Sequence, residues 1–286
     1  MKRFASFNSS VRRYQAFFWV LATPIGLLAI LWAIMGSEPA AAFAPLTVFQ
    51  SPITVAPPDP AFTNANILYV TDDGTGTDCS MVAPCYLTTA MQEAANGYEV
   101  RVAAGLYDQE HFVLGVPDLH TLYVNKSLNI IGGYTTTNWT VSDPQANPTI
   151  LDGKNVRRVV RLESGSGSLE GFIIRNGNTG SDNGAGVYVG ESANQVIAHN
   201  QIHDNSGPSG GALGGGVYVL GQATLLSNEI YSNAAVFGGG VFVVSNNTVN
   251  LLNNVIYNNS ASTAFGSGGV GFQTIDGTGT LNIWHN

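Results

Sequence analysis

Hydrophobic residues occur along most of this chain in short runs, not in long amphipathic stripes. From about residue 66 onward, runs rich in Val, Ile, Tyr, Phe and Thr alternate with Gly, Asn and Ser. This alternation is typical of short β-strands separated by tight turns. The segment 222–233 reads QATLLSNEIYSN and lacks the apolar spacing that an amphipathic helix needs. The pattern therefore predicts an all-β protein.

Two motifs recur along the chain with a nearly constant period. The first is Ile-x-x-Asn, whose asparagines lie 26 to 29 residues apart; they are Asn176, Asn205, Asn233, Asn259 and Asn286. The second is a glycine run followed by Val-Tyr-Val or a variant, and it alternates with the first. Self-similarity at this period indicates a solenoid. Because each repeat is rich in β-forming residues, it predicts one coil of a parallel β-helix.

The asparagines of the first motif are predicted to stack. Successive coils of a β-helix lie roughly 4.8 Å apart, so equivalent side chains stand above one another. We therefore expect Asn176, Asn205, Asn233 and Asn259 to form one hydrogen-bonded ladder. The main interpretation of this ladder is structural, because a corner Asn satisfies backbone groups that would otherwise lack partners. An Asn-lined ligand groove is the alternative.

The repeat motifs also carry a family resemblance. The paired Gly-Gly-Gly-Val-[Tyr/Phe]-Val and Asn-x-Ile-x-x-Asn motifs resemble the repeats of polymorphic outer-membrane-type proteins, and more broadly right-handed β-helix proteins of the pectin-lyase-like class. Residues 128–175, which include GGYTTTNW and LEGFIIR, are similar to the entry coils of bacterial surface β-helix proteins. The resemblance covers roughly residues 66–286. It implies the fold and leaves the activity open, because this fold hosts lyases, hydrolases, adhesins and inert stalks.

Residues 1–44 have the organisation of an export segment. Basic residues near the start precede an uncharged run from Ala16 to Met35, and the small residues 40–42 fit a cleavage site. The run is also long enough to span a bilayer, so a cleaved signal peptide and an uncleaved anchor are both consistent with it. Either one predicts a secreted or cell-surface location, because the positive charges stay on the cytoplasmic side.

The rest of the chain divides into three predicted segments. Residues 45–64 are rich in proline and form a linker. Residues 65–165 hold an N-terminal cap and the entry coils, and residues 166–286 hold the β-helix repeats. The last repeat stops in mid-coil at Asn286, so we expect the β-helix to be incomplete there. Its open apolar edge would favour self-association.

The N-terminal cap is predicted to contain the one good helix candidate of the chain, over residues 87–96. Its apolar face consists of Leu87, Ala90, Met91 and Ala94. Thr89 and Gln92 fit a capping box at its start, and residues 98–107 read as the strand that follows. Cys79 and Cys85, which precede the helix, are expected to form a disulfide because exported chains fold in an oxidising compartment.

The distribution of charge limits the function classes. The formal net charge is −8, and no Lys or Arg occurs after Arg175. Nucleic-acid binding is therefore not expected, because neutralising phosphates needs basic side chains. The membrane is expected as a partner only through the N-terminal segment. A polysaccharide or another cell-surface ligand is the partner class that fits an exported β-helix.

One cluster offers groups for polysaccharide chemistry. It consists of Arg157, Arg158 and Arg161, near Asp152 and Glu163. A pectate-type lyase needs an Arg or Lys base together with carboxylates that hold Ca²⁺, and a hydrolase needs paired carboxylates. The more general interpretation is that these residues are solvated strand and turn positions. We therefore assign no catalytic residue and no metal ligand from the sequence.

An acidic loop and a histidine suggest two further readings. Asp72, Asp73 and Asp78 would fit a Ca²⁺ ion, although an Asp/Gly turn is the main interpretation, and no other cofactor is expected. His203 occupies the repeat position of Tyr231, Tyr257 and Trp284, which predicts an aromatic stack, with metal binding as the alternative.

A second aromatic set recurs in the other strand of the repeat: Tyr188, Tyr218 and Phe242. Facing outward, either set would make a carbohydrate-binding surface, and facing inward it would belong to the core. The leading hypothesis is an exported, surface-associated β-helix module without enzymatic activity, acting in adhesion, as a stalk or in carbohydrate binding. The alternative is a polysaccharide lyase or glycoside hydrolase that uses the Arg157–Glu163 region.

Overall fold

A computed structural model of the chain describes residues 66–116, 118–263 and 266–286. The predicted export segment (residues 1–44) and linker (residues 45–64) lie outside the described residues. The described chain winds as a right-handed parallel β-helix of about eight turns. This confirms the fold predicted from the repeat. No helix in the described ranges has the length and apolar content to cross a membrane.

The described residues form one helix and 21 strands. The helix α1 spans Leu87–Glu93 and lies between the first two strands. In chain order the strands are β1 (Ile67–Val70), β2 (Tyr98–Ala103), β3 (Gly105–Tyr107), β4 (His120–Val124), β5 (Leu128–Tyr134), β6 (Thr149–Asp152), β7 (Arg158–Glu170), β8 (Phe172–Arg175), β9 (Val187–Ala198), β10 (Gln201–His203), β11 (Ser206–Gly207), β12 (Val217–Val219), β13 (Gln222–Leu226), β14 (Glu229–Tyr231), β15 (Ala234–Ala235), β16 (Val241–Val244), β17 (Thr248–Leu252), β18 (Val255–Tyr257), β19 (Ser260–Ala261), β20 (Val270–Gln273) and β21 (Thr280–Trp284).

The strands form three parallel sheets. The largest has twelve strands, in which β1, β2, β5, β7, β9, β12, β16 and β20 are successive neighbours. The second sheet has six strands in the order β18-β14-β10-β8-β6-β3, and the third consists of β11, β15 and β19. The long strands β7 and β9 each pair in two places, so the largest sheet supplies two faces of the coil. Strand order along each sheet therefore follows coil order.

The core lies inside the coil and consists of stacked aliphatic columns. One column contains Ile174, Ile202, Ile230 and Ile256, which are paired partners in successive strands of the six-stranded sheet. The first three of these side chains are fully buried. Each fully buried side chain of this size contributes about 1.5–3 kcal/mol relative to an exposed one. Inward-facing Val and Ile thus stabilise the coil, as their spacing in the sequence predicts.

Two columns of asparagine run along the corners of the coil. In the first, Asn205, Asn233 and Asn259 are joined side chain to side chain: Asn205 Nδ2 donates to Asn233 Oδ1 (2.9 Å), and Asn233 Nδ2 donates to Asn259 Oδ1 (3.0 Å). The second column contains Asn200, Asn228, Asn254 and Asn286, bonded in the same manner. Each member follows a residue with left-handed φ, as Asp204 (54°) precedes Asn205.

The ladder prediction for Asn176 is wrong by one residue. Strand pairing places Ile174, not Ile173, beside Ile202. Gly177 therefore occupies the ladder position, and its N–H donates to Asn205 Oδ1 (2.8 Å). Asn176 itself takes the left-handed corner position, with φ 55°. The fifth motif is also displaced, because Asn286 bonds to Asn254 in the second column and not to Asn259.

The helix α1 packs at the N-terminal end of the coil, but its boundaries differ from those predicted. Its apolar face enters the core as expected, through Leu87, Ala90, Met91 and Ala94. It begins at Leu87 with no side-chain cap and ends at Glu93, so the predicted capping box at Thr89 and Gln92 is wrong. The predicted strand over residues 98–107 is two strands, β2 and β3, which belong to different sheets.

Cys79 and Cys85 are joined by a disulfide beside the first strand, with their Cα atoms 4.6 Å apart. Both cysteines are fully buried. The Cys79 and Cys85 carbonyls accept hydrogen bonds from the N–H groups of Tyr69 (2.8 Å) and Thr71 (3.1 Å). The cross-linked loop therefore satisfies backbone groups of β1 that would otherwise form an exposed sheet edge.

Candidate functional site

Residues 108–116 and 118–119 leave the coil between β3 and β4 and are tied back to it by ion pairs. Asp108 accepts from Lys154 Nζ at 2.7 Å, and Glu110 lies 3.7 Å from Arg157 Nη1. Asp118 contacts Arg158 directly and Arg161 Nη1 at 3.0 Å. Three carboxylates of this loop thus face four cations of residues 154–161. We call this loop with its ion pairs the clamp.

Arg158 is the most enclosed cation of the clamp, with only 2% of its side chain exposed. Its Nε donates to the Gly184 carbonyl (3.0 Å) and its Nη2 to the Asn183 carbonyl (2.8 Å). Burial, together with the positive charge of Arg161, lowers the pKa of Arg158 to about 10. The guanidinium therefore ties the clamp to the turn before β9.

Arg161 and Arg157 are also held by neighbours. Arg161 Nε pairs with Glu163 Oε2 (2.5 Å), and its guanidinium lies 4.6 Å from the centre of the Tyr188 ring, a cation–π contact. Arg157 is 7% exposed, and its Nη2 donates to the Asp108 carbonyl (3.0 Å). All three arginines of the predicted basic cluster therefore have structural partners.

Asp152 does not belong to this cluster, although the sequence placed it nearby. Its carboxylate pairs with Arg175 Nε (2.9 Å) and accepts from Asn176 Nδ2 (2.9 Å) and the Lys154 N–H (2.8 Å). It thus closes the corner between β6 and β8. The carboxylate that Arg158 and Arg161 share is Asp118, which sequence reasoning missed. Its separation from Arg158 is close to one turn of the coil, but the irregular loop between them hides that relation.

Two buried histidines lie at the base of the clamp. The His111 N–H donates to the His120 carbonyl (2.7 Å), and His120 Nε2 lies 3.2 Å from Asp118 Oδ2. Burial is the main cause that lowers the pKa of both imidazoles to about 4, and His120 and Arg161 add a smaller lowering for His111 and His120 respectively. Both histidines are therefore neutral at physiological pH.

A groove of about 370 Å³ opens beside the clamp. Its charged lining consists of Asp118, Asp182, Arg157 and Arg158. Two amide side chains, Asn155 and Asn178, and two apolar ones, Leu119 and Val156, also line it. The volume lies within the range of about 300–1,000 Å³ that is usual for small-molecule sites. The groove thus combines charged, polar and apolar groups.

The predicted aromatic stack forms, with one exception. The rings of His203 and Tyr231 lie 4.8 Å apart, and those of Tyr231 and Tyr257 lie 5.1 Å apart, each pair 12° from parallel. Trp284 was expected in this column, but it pairs with Leu252 in another sheet. The stacked rings face one another along the coil and present their edges to solvent.

The second aromatic set points out of the coil but is covered by turns. Tyr218 is 4% exposed although its strand neighbours Val217 and Val219 point into the core. The Tyr188 and Tyr218 rings stack 5.6 Å apart. A Cβ on Gly184 would lie only 3.0 Å from the Cβ of Tyr218, so the glycine turn packs against the base of this side chain. Within each set the neighbouring ring therefore covers the stacked face, while Tyr257, at the end of the first set, is 39% exposed.

Two carboxylates of the acidic loop near the first strand accept hydrogen bonds from backbone N–H groups. Asp72 Oδ2 accepts from the Leu106 N–H (3.1 Å), and Asp78 Oδ1 accepts from the Ser80 N–H (3.4 Å). Within the described ranges, no three side chains from His, Cys, Asp and Glu converge as ligands for a metal ion.

Comparison with known proteins identifies the fold family. Residues 132–286 match the family described as a right handed beta helix region. A comparison with curated proteins gave no match. The crystal structure of pectate lyase Pel9A is similar at 12% sequence identity, with a TM-score of 0.43. That alignment covers 76% of this chain and 61% of the lyase chain.

Proposed function

The chain belongs to the right-handed β-helix family, and we propose that it is an exported, surface-associated module that binds or supports and does not catalyse. The binding functions that fit are adhesion and carbohydrate binding, and the supporting function is that of a stalk. The observation that carries this proposal is that Arg157, Arg158 and Arg161 are already paired within the protein. Each is held by carbonyl or carboxylate partners, so the basic cluster fastens the clamp to the coil.

Export is supported by the sequence of residues 1–44 and by the disulfide. A disulfide between buried cysteines suits an oxidising compartment. Fractionation of cells that express the full chain tests the location. Recovery in the medium or on the cell surface is the expected result, and recovery in the cytoplasm with reduced cysteines would contradict it.

A polysaccharide lyase or glycoside hydrolase is the second candidate. It is favoured by the groove and by the lowered pKa of Arg158, since a lower pKa raises the fraction of neutral guanidine, which is the form that accepts a proton. Against it, Arg158 is almost fully enclosed and donates to two carbonyl oxygens. The clamp would have to open before a substrate could reach this group.

A panel of acidic and neutral polysaccharides distinguishes the two candidates. The full chain is incubated with each, and retention is measured by affinity electrophoresis while new reducing ends and unsaturated ends are quantified. We expect retention of at least one polysaccharide without shortening of any. Cleavage that is lost in Glu163→Gln, in a variant that keeps its circular dichroism spectrum, would overturn the non-enzymatic proposal.

A further inference from the structure

We propose that the groove beside the clamp binds a neutral saccharide and discriminates against acidic ones. This inference rests on the proposed binding function and names its ligand class. The lining carries two carboxylates, Asp118 and Asp182, and two guanidinium groups, Arg157 and Arg158. The formal charges balance, so the groove as a whole has no excess positive charge to attract an anion.

The two cations of the groove already have partners in the protein, whereas one of its carboxylates has none in the described ranges. Arg158 contacts Asp118, and Arg157 faces Glu110 and the Asp108 carbonyl. The cations are therefore already compensated within the clamp. Asp182 is exposed, and its carboxylate accepts no hydrogen bond from the described residues. An acidic ligand would meet this carboxylate in a protein whose net charge is already −8, and like charges repel at this range.

The polar lining of the groove suits a polyhydroxylated ligand. A hydroxyl group both donates and accepts, and the Asp182 carboxylate and the Asn155 and Asn178 amides supply the complementary acceptors and donors. Asn178 Oδ1 accepts from the Gly180 N–H (3.0 Å), which fixes the side chain and leaves its NH₂ group to donate. The ligand therefore needs no charge to satisfy this wall of the groove.

The apolar lining adds a surface for the C–H groups of a sugar ring. Val156 is 67% exposed and Leu119 is 37% exposed, which is high for aliphatic side chains beside a groove. Covering these side chains on binding would contribute favourably through burial of apolar area. A rigid neutral sugar ring offers both an apolar face and a rim of hydroxyls, which matches the two kinds of lining.

Charge reversal at Asp182 tests the inference. Neutral hexose oligosaccharides in gluco, galacto and manno configurations are compared with uronate oligosaccharides of equal length, by calorimetry with the full chain. The wild-type chain should prefer a neutral ligand. Asp182→Lys should weaken that binding about tenfold, because a hydrogen bond to a charged group contributes about this factor. It should also strengthen uronate binding in a salt-sensitive manner.

Glu191→Lys is the matched control, because it makes the same charge change at an exposed residue that does not line the groove. It should leave both affinities within about twofold, since the charge is exposed to water and salt and makes no contact with the groove lining. Val156→Asn is a second variant, at an exposed position that should tolerate it, and it should weaken neutral binding alone.

The outcomes separate this inference from the proposed function. Tighter binding of uronates than of neutral sugars by the wild-type chain would overturn the inference. So would equal effects of Asp182→Lys and Glu191→Lys. In both cases saccharide binding itself would stand, and the site would lie elsewhere or favour the other charge. A chain that binds no member of the panel would overturn the inference and the carbohydrate-binding function together.

Discussion

Removing one rung of the first Asn column should destabilise the coil strongly. Asn233 is 1% exposed and its amide makes four hydrogen bonds. Nδ2 donates to the Ile202 carbonyl (2.8 Å) and to Asn259 Oδ1 (3.0 Å). Oδ1 accepts from the backbone N–H (3.1 Å) and Nδ2 (2.9 Å) of Asn205. Asn233→Ala deletes all four bonds at once.

The magnitude follows from the net value of each bond. At about 1 kcal/mol per hydrogen bond, the four bonds sum to a loss of about 4 kcal/mol in the free energy of unfolding. The groups that lose a partner differ in whether another hydrogen-bond partner remains. Asn205 Nδ2 keeps the Ile174 and His203 carbonyls, but the buried Asn205 N–H loses its acceptor. That orphaned donor alone costs about 1–3 kcal/mol, which sets a lower limit on the expected loss.

Equilibrium unfolding in guanidinium chloride, followed by circular dichroism, measures the effect. The midpoint should fall while the denaturant slope stays unchanged, because the surface exposed on unfolding is nearly the same. Asn247→Ala is the matched control, since Asn247 is exposed and its side chain bonds to no described residue. It should change the free energy by less than about 0.5 kcal/mol. Equal shifts in the two variants would refute the structural role of the ladder.

Three further outcomes are expected. The free energy of unfolding should fall as pH drops from about 6.5 to about 4. His111 and His120 stay neutral in the folded chain, while the same side chains take up protons in the unfolded chain. A His111→Phe/His120→Phe variant should show a flatter dependence of this free energy on pH. Thiol labelling of the denatured, unreduced chain should find no free thiol, and two labelled cysteines would exclude the disulfide. Self-association seen by sedimentation should fall in an Ile283→Thr/Trp284→Thr variant, because both side chains are 51% exposed on β21. The control is Ile275→Thr, at a residue that is 65% exposed in a turn, and it should have little effect on self-association.

The sequence predicted the coil correctly because the period of the repeat and the apolar alternation within each strand both indicate a parallel β-helix. It misplaced Asn176 because the strand reads Phe-Ile-Ile-Arg, so two isoleucines competed for the inward position. The buried Phe172 settles the choice: alternation from an inward Phe172 makes Ile174 the next inward residue. Attention to this parity, in place of the motif alone, would have put Gly177 in the ladder.

Asn286 was misassigned for a different physical reason. The two Asn columns lie only five residues apart in each coil, as with Asn254 and Asn259. An interval of 27 residues from Asn259 fits the repeat, but the bonded partner is Asn254, 32 residues away. The extra residues enter in two places, because the register between successive coils is 26 residues at β19, 29 at β20 and 32 at β21. A period alone cannot distinguish two columns when the inserted residues are about as many as those that separate the columns.

The groove could not be read from the sequence, because its parts come from three loops of different turns. Arg157 and Arg158 were recognisable as a basic cluster, but their partner Asp118 lies in an irregular loop with no repeat to align. Asp182 and Asn178 lie in a turn between β8 and β9 whose sequence resembles any other Gly/Asn turn. The pairing of β7 with β4 and with β9 brings these segments together.

The coil uses two different means to satisfy its polar groups, and they occupy different turns. The Asn columns run through the turns after residue 199, where no Lys or Arg occurs. The clamp fastens the earlier turns, where Phe172 and Gly177 stand in the ladder positions. The two devices should therefore protect different regions from local unfolding.

Hydrogen–deuterium exchange can separate these two regions. Asp118→Asn leaves Arg158, which is 2% exposed, without its ion-pair partner, and breaking a buried pair typically costs about 3–5 kcal/mol. Amides of β4 and the first half of β7 should therefore exchange faster in Asp118→Asn, while those of β14 keep their protection. Asn233→Ala should do the reverse. If both variants raised exchange uniformly along the coil, the solenoid would unfold as one cooperative unit. The clamp and the ladder would then be two contributions to a single stability, and the division of the coil into separately fastened regions would be wrong.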